Sequence, residues 1–188
     1  MYNNFKIIKT KSVELYSAFV KKNHYTKTLA RGCSDVFVLK IDNKIAGVAM
    51  YGVPTGHRVR SKYGDNTLEL KRFCLSDSCL KNTASWFIAK TIKLLPKGTQ
   101  IVSYADANVG HEGIIYRASN FTYVGKTKPT QYGKIIGSNK KIHLRNCYQK
   151  TNGSYTKTAI NFQAKMKAGQ ASLKLSKPKH IYLYEVRK

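Results

Sequence analysis

Val102-Ser103-Tyr104-Ala105-Asp106-Ala107-Asn108-Val109-Gly110-His111-Glu112-Gly113-Ile114-Ile115-Tyr116-Arg117-Ala118-Ser119-Asn120-Phe121 is the stretch on which the reading of the fold turns. It reads as a short buried strand from Ile101 to Ala105, a polar turn, one or two helical turns, and a second strand opening near Phe121. Gly110 and Gly113 give the turn freedom to bend. Asp106, Asn108, His111 and Glu112 fall between two apolar elements, with Tyr104 and Tyr116 on either side. A carboxylate, an imidazole and two phenols are thus expected at the carboxyl end of a strand, where open α/β sheets bind ligands. The alternative is a polar loop in which Asp106 only caps the helix that follows.

Outward from this stretch, charge is the next signal. The 188 residues suit one full core, and the 42% hydrophobic content argues against a chain disordered throughout. Lys plus Arg number 34 against 9 Asp plus Glu, a formal net of +25. From Gly113 onward there are 16 Lys and Arg against the single acid Glu185, a net of +15 over 76 residues. Such a self-repelling surface fits a polyanionic partner, nucleic acid first, over a merely solvated basic surface. The 13 tyrosines add stacking capacity. Cys33, Cys74, Cys79 and Cys147 form no C-x-x-C pair, and reduced thiols in a cytoplasm are expected. Neither a signal peptide nor a membrane-spanning run is read.

Taken in order, Phe5 to Lys9 alternates as a strand, and Ser12 caps a helix striped by Val13, Leu15, Tyr16, Phe19 and Val20. That helix ends at Asn23-His24-Tyr25. Asp35 to Ile41 and Ile45 to Tyr51 form a hairpin around Asp42-Asn43-Lys44, and Gly47 marks a bulge or close backbone approach. A basic loop from Gly52 to Asn66 carries Arg58, Arg60 and Lys62, which are expected to touch phosphate. Thr67 to Leu75 is a strand buried on the Leu68, Leu70 face or its opposite, with Glu69 and Arg72 expected to pair along it. Asn82 caps a helix running to Leu95, whose free N–H groups can face an anion. Two polar strands around Gly137-Ser138-Asn139, a basic helix from Thr158 to Lys167 and a closing strand from His180 to Val186 complete the chain.

This order of elements is that of the N-acetyltransferase (GNAT) fold, and Asn108 to Gly125 resembles its closing motif. Tyr116 matches the tyrosine that often protonates a departing thiolate there. Asn120-Phe121 stands where a Gly-Phe pair is usual, and the segment Leu80-Lys81-Asn82-Thr83-Ala84-Ser85 lacks the glycines of a pyrophosphate loop. More closely, the chain resembles the phage Mom family. Asn23-His24-Tyr25, Leu68 to Leu75, Lys81 to Phe87, Ser103 to Asp106, Gly110 to Gly113, Ile115 to Phe121 and Lys179 to Tyr184 carry the resemblance.

The resemblance implies an α/β fold with a GNAT-like mixed sheet flanked by helices. Residues 1–125 would form the catalytic core, and 126–188 a basic C-terminal extension completing the same domain. It also implies transfer of a carbamoylmethyl (glycinamide-like) group to N6 of adenine in double-stranded DNA. That modification would shield phage DNA from restriction in the cytoplasm of a bacterial host.

Catalytic candidates are His24, Tyr25, Ser103, Tyr104, Asp106 and Tyr116. Arg72, Asn82, Thr83 and Ser85 are expected at the donor, an acyl-CoA or another glycyl or carbamoylmethyl donor. The resemblance further implies iron, for which His24, Tyr25 and Asp106 are the candidate ligands. Lys126, Lys128, Lys140 and Lys141 join Arg58, Arg60 and Lys62 as DNA contacts. An acyl-CoA N-acetyltransferase and a non-catalytic nucleic-acid-binding protein are the other readings. Adenine N6 is a poor nucleophile paired in duplex DNA, so an enzyme acting on it must extrude the base.

Overall fold

A computed structural model describes residues 4–138, 140–149 and 152–187. The chain divides into two compact units. The first runs to Ala105, takes up Glu112–Gly125 and resumes at His180. The second comprises Asp106–His111 and Lys126–Lys179.

The first unit contains β1 (Phe5–Thr10), α1 (Val13–Asn23), β2 (Cys33–Ile41), β3 (Lys44–Gly52), α2 (Arg58–Tyr63), β4 (Leu68–Leu75), α3 (Thr83–Ile92), β5 (Gln100–Ala105), α4 (Ile114–Arg117), β6 (Thr122–Lys126) and, later in the chain, β10 (His180–Glu185). Seven strands form one sheet in the order β1-β2-β3-β4-β5-β10-β6. The β4–β5 pair is parallel. β2 and β3 are buried on both faces, as strands covered on two sides must be. Phe37, Leu39, Ala49 and Tyr51 face Phe87, Ile88 and Ile92 of α3. Val36, Val38, Val48 and Met50 face Tyr16 and Val20 of α1. The turn between β2 and β3 is Asp42-Asn43, both at positive φ (50° and 62°), as a two-residue type I′ turn requires.

β4 carries one extra residue against β3. Met50 pairs with Arg72 and Tyr51 with Leu70, so Lys71 is bulged. The bulge reverses the side-chain parity of the strand. Leu68 and Leu70 before it, and Phe73 and Leu75 after it, therefore pack into the same cluster. The apolar face of this strand is continuous although its sequence alternation breaks.

Gly47 is a close approach. A Cβ there would lie 2.4 Å from Leu75 Cδ2, and the neighbouring bulge falls at Ala46. Two expected helix caps are absent. Ser12 Oγ donates to Glu14 Oε2 at 2.7 Å, so that carboxylate has taken the hydroxyl from the helix start. Asn82 precedes α3 at φ 69° and makes no side-chain cap. Its service is conformational, because asparagine tolerates the left-handed region that a glycine would otherwise fill.

The second unit contains β7 (Gln131–Ile135), β8 (Lys141–His143), α5 (Lys157–Lys167) and β9 (Ala171–Leu175), with sheet order β8-β7-β9. Ile142, Cys147, Phe162 and Ala171 form its core, supported by Ile135, Met166 and Leu173. Gly133 admits this packing, since a Cβ there would meet Cys147 Sγ and Phe162 Cε2, each at 2.6 Å. Thr156 caps α5 by accepting from Ala159 N at 3.1 Å. Where the segment begins and ends its chain is stitched to itself. Thr127 N donates to Lys179 O, and Lys179 N donates to Thr127 Oγ1, both at 2.9 Å. Asn139, read as part of the loop between β7 and β8, lies outside the described residues. No helix among the described residues is long and apolar enough to cross a membrane.

Candidate active site

In the first unit the site forms where β4 and β5 part. The two strands pair only at Leu68↔Ile101 and Glu69↔Val102, although β4 continues to Leu75 and β5 to Ala105. Alternation along β5 turns Ile101, Ser103 and Ala105 to the face that holds Tyr116. Tyr116 rides on the short helix α4, 8% exposed, with its ring 5.6 Å from Phe121 and 5.4 Å from Tyr182. Burial pushes its phenol up to about 12, while the Ser103 hydroxyl pulls the other way and Tyr25, Glu69 and Tyr182 add to the rise. Tyr116 therefore holds its proton across the physiological range. Ser103 Oγ is fully buried and makes no hydrogen bond of regular geometry. Such an atom costs free energy unless something else uses it.

Tyr104, half-buried on the other face of β5, is also pushed up to about 12 by burial, with Glu69 and Tyr63 contributing. His24 closes α1. It is buried, its ring stacks on Tyr25 at 4.5 Å, and its Nδ1 accepts from Thr26 N at 3.2 Å. One carboxylate, Glu69, thus acts on both Tyr104 and Tyr116, and Tyr116 in turn feels Tyr25 and Ser103.

Sequence reasoning misses that carboxylate as a site residue, because it assigns Glu69 to a pair with Arg72, three residues along. Instead Glu69 Oε2 accepts from Thr55 N at 2.7 Å, and Arg72 Nε donates to Thr28 O at 3.0 Å. The bulge at Lys71 lies between them. Glu69 lines a cavity of about 290 Å³ with Leu29, Ala30, Arg31, Thr55, Lys71 and Arg72. An acid inside an otherwise apolar strand start is the signal that could have found it.

Of the expected donor residues, Thr83 opens α3 fully buried with Oγ1 unpartnered. Ser85 Oγ donates to Asn82 O at 3.1 Å. Asn120, like Asn82, sits at positive φ (62°), so asparagine holds two backbone positions that ordinarily favour glycine. Among the expected DNA contacts, Arg58, Arg60 and Lys62 fall on α2. Arg60 Nε and Tyr63 OH there are buried without partners. Lys126, Lys128, Lys140 and Lys141 are all exposed.

Asp106 and His111 belong to the second unit. Asp106 caps the short helix that follows it, as one reading of the sequence expects. It opens a 3-10 turn at Ala107–Val109, where Oδ1 accepts from Asn108 N at 3.0 Å and Asn108 Nδ2 at 2.8 Å. Oδ2 lies 3.4 Å from Lys179 Nζ. Burial pushes this carboxyl up, but the Asn108 hydrogen bonds and Lys179 outweigh it and hold it below the ordinary value. The expected iron ligands divide between the units, His24 and Tyr25 in the first and Asp106 in the second. Among the described residues no group of three or more His, Cys, Asp or Glu is placed to share an ion, and both Asp106 oxygens are engaged.

A seven-stranded mixed sheet that opens between β4 and β5, with a buried tyrosine on the helix after β5, defines the GNAT class of transferase fold. Two solved structures share it. One, from Salmonella typhimurium, is assigned as an acetyltransferase and was solved with its cofactor acetyl-CoA; it superposes with a TM-score of 0.53 at 11% identity over 99% of this chain and 96% of its own. A GNAT family acetyltransferase from Bacillus cereus gives 0.52 at 12% identity over 98% and 99%. The chain belongs to the Mom protein family, which matches residues 5–188. It is 28% identical over 134 residues to the protein named methylcarbamoylase mom of Escherichia phage Mu, covering 66% of this chain and 56% of that one. The chain therefore spans little more than half the length of this curated relative.

Proposed function

We propose that this phage modification transferase acts on DNA, placing a carbamoylmethyl group on N6 of adenine and so protecting the DNA from restriction. The observation that carries the reading is a buried, proton-holding phenol, Tyr116, on the helix that follows β5 beside the opening between β4 and β5, in a chain of the Mom family. In this reading Glu69 takes a proton from the incoming exocyclic amine. Tyr116 gives one to the departing group of the donor, with the Ser103 hydroxyl beside it. Tyr25, Tyr63 and Tyr104 supply aromatic surface for a base drawn out of the duplex. The N6–CH2 bond forms as the bond from that methylene to the donor's leaving group breaks, so the donor carries a carbamoylmethyl group on a phosphate-bearing carrier; plain acyl transfer from an acyl-CoA would leave an N6 amide instead. The unpartnered Thr83 Oγ1 at the uncapped start of α3 supports a site for its phosphates. Catalysis falls to the first unit and the grip on DNA to the basic second unit.

The test is mass spectrometry of nucleosides from plasmid DNA after bacterial expression. Wild type should yield a new adenosine species that Tyr116→Phe and Glu69→Gln reduce or abolish. Unmodified DNA from wild-type cells supplied with an acyl-CoA donor, with acetylation of a cellular protein instead, would move the reading to an ordinary acetyltransferase.

A further inference from the structure

The second unit has its own charge character. The 54 residues from Lys126 to Lys179 contain 13 Lys and Arg and no Asp or Glu. The sole acid of the unit, Asp106, is already paired with Lys179. A small fold with no free anion repels itself, and a surface of this kind is suited to a polyanion.

The sheet register shows where on this unit the charged side chains gather. Ile135, Ile142, Ala171 and Leu173 face α5 and make the core. By the two-residue period of strands, the opposite face carries Tyr132 and Lys134 of β7, Lys141 and His143 of β8, and Lys174 of β9. The register sets them in rows. His143, Tyr132 and Lys174 lie side by side, and Lys141 and Lys134 are directly paired. Lys141 Nζ stands 4.9 Å over the Tyr132 ring, which fixes both on the same face. Lys141, His143 and Lys174 are exposed. Like charges directly opposite destabilise a sheet, so Lys134 facing Lys141 is a cost that stability alone does not explain.

We propose that this open sheet face, centred on Lys134, Lys141 and Lys174, binds the phosphodiester backbone of DNA without reading its sequence. Neighbouring strands lie about 4.8 Å apart and alternate residues about 6.8 Å apart, which spreads three ammonium groups over the span of successive phosphates. Tyr132 is covered by Lys141, so the face offers charge rather than a free ring for base stacking. The inference deepens the DNA reading above and rests on it.

The test compares two full-length triple variants of equal net charge. Lys134→Gln/Lys141→Gln/Lys174→Gln removes the sheet-face charges, and Lys6→Gln/Lys21→Gln/Lys93→Gln removes three exposed charges of the first unit. Binding to a mixed-sequence 20-base-pair duplex, and to one of its strands, is followed across a salt series. The sheet-face triple should weaken duplex binding about tenfold or more and flatten the log–log salt slope by about 2.7, at about 0.9 for each phosphate no longer neutralised. The control triple should change it by about twofold at most, and unfolding curves of both should match wild type. Equal weakening in the two triples overturns the proposal, because binding would then follow net charge alone. An effect confined to the single strand overturns it too. Failure of the wild type to bind either form would instead remove the DNA reading itself, which the nucleoside measurement tests separately.

Discussion

The ring of Tyr182 stands where a side chain on Gly113 would have to go: a Cβ at Gly113 would lie 2.2 Å from the ring Cε2. The Tyr182 hydroxyl donates to Glu112 O at 2.5 Å, and Gly113 sits at φ 79°. This packing fixes the start of α4 and with it Tyr116. Gly113→Ala combines a left-handed alanine, about 1–2 kcal/mol, with overpacking of about 1–3 kcal/mol. Urea unfolding should show a loss of about 2–5 kcal/mol. Tyr182→Phe keeps the ring and should cost only about 1 kcal/mol for the hydrogen bond.

Tyr104 and Tyr116 both ionise near 12, against about 10 for an exposed phenol. Their raised folded values mean that the stability they contribute is fully present below pH 10 and lost as pH rises from 10 towards 12. Ultraviolet titration should show a late tyrosinate fraction in the folded protein. Tyr116→Phe should remove about one residue's worth of it and soften the alkaline loss of stability. A single transition near pH 10 would contradict the burial assigned to both rings.

Glu69→Gln preserves an oxygen to accept the Thr55 N–H but removes the proposed base. Modification rate should fall by about 10²–10⁴-fold, with the unfolding midpoint nearly unchanged. An equal drop in stability would mark Glu69 as structural.

Asp106 is held below the ordinary carboxyl value, so its contribution is present above the unfolded value near 4 and disappears as pH falls through the folded one. Lys179→Gln and Asn108→Ala should each raise the Asp106 pKa. Both should also move the acid unfolding of the protein to higher pH. Carbon-detected titration of the side chain gives the direct reading, and a wild-type value at or above 4 would contradict the assignment.

The elements with strong local signals were legible in the sequence. Asp42-Asn43 between two apolar runs marked its hairpin, and alternation or helical period located β1, β5, α1 and α3. What escaped depended on partners distant in the chain. The bulge at Lys71 exists only relative to β3, so no pattern within β4 could decide which face of Leu68 to Leu75 was buried. Spacing suggested a Glu69–Arg72 pair, but Thr55 and Thr28 had claimed the two side chains from other elements. The positions of Ser103, Tyr104 and Tyr116 in the fold were readable because strand period and an adjacent helix place them. Asn120 looked like a departure from a Gly-Phe pair until its positive φ showed the same backbone need met by another residue.

β10 enters the sheet between β5 and β6, so the whole Lys126–Lys179 segment is in effect the connection of a hairpin whose strands are sheet neighbours. Its two ends are joined at Thr127 and Lys179, and it brings its own core. Loop-closure entropy rises only slowly with length, and here most of the loop is itself folded. Replacement of this segment by another that closes at the same two ends would then leave the sheet order and the β4–β5 opening as they are.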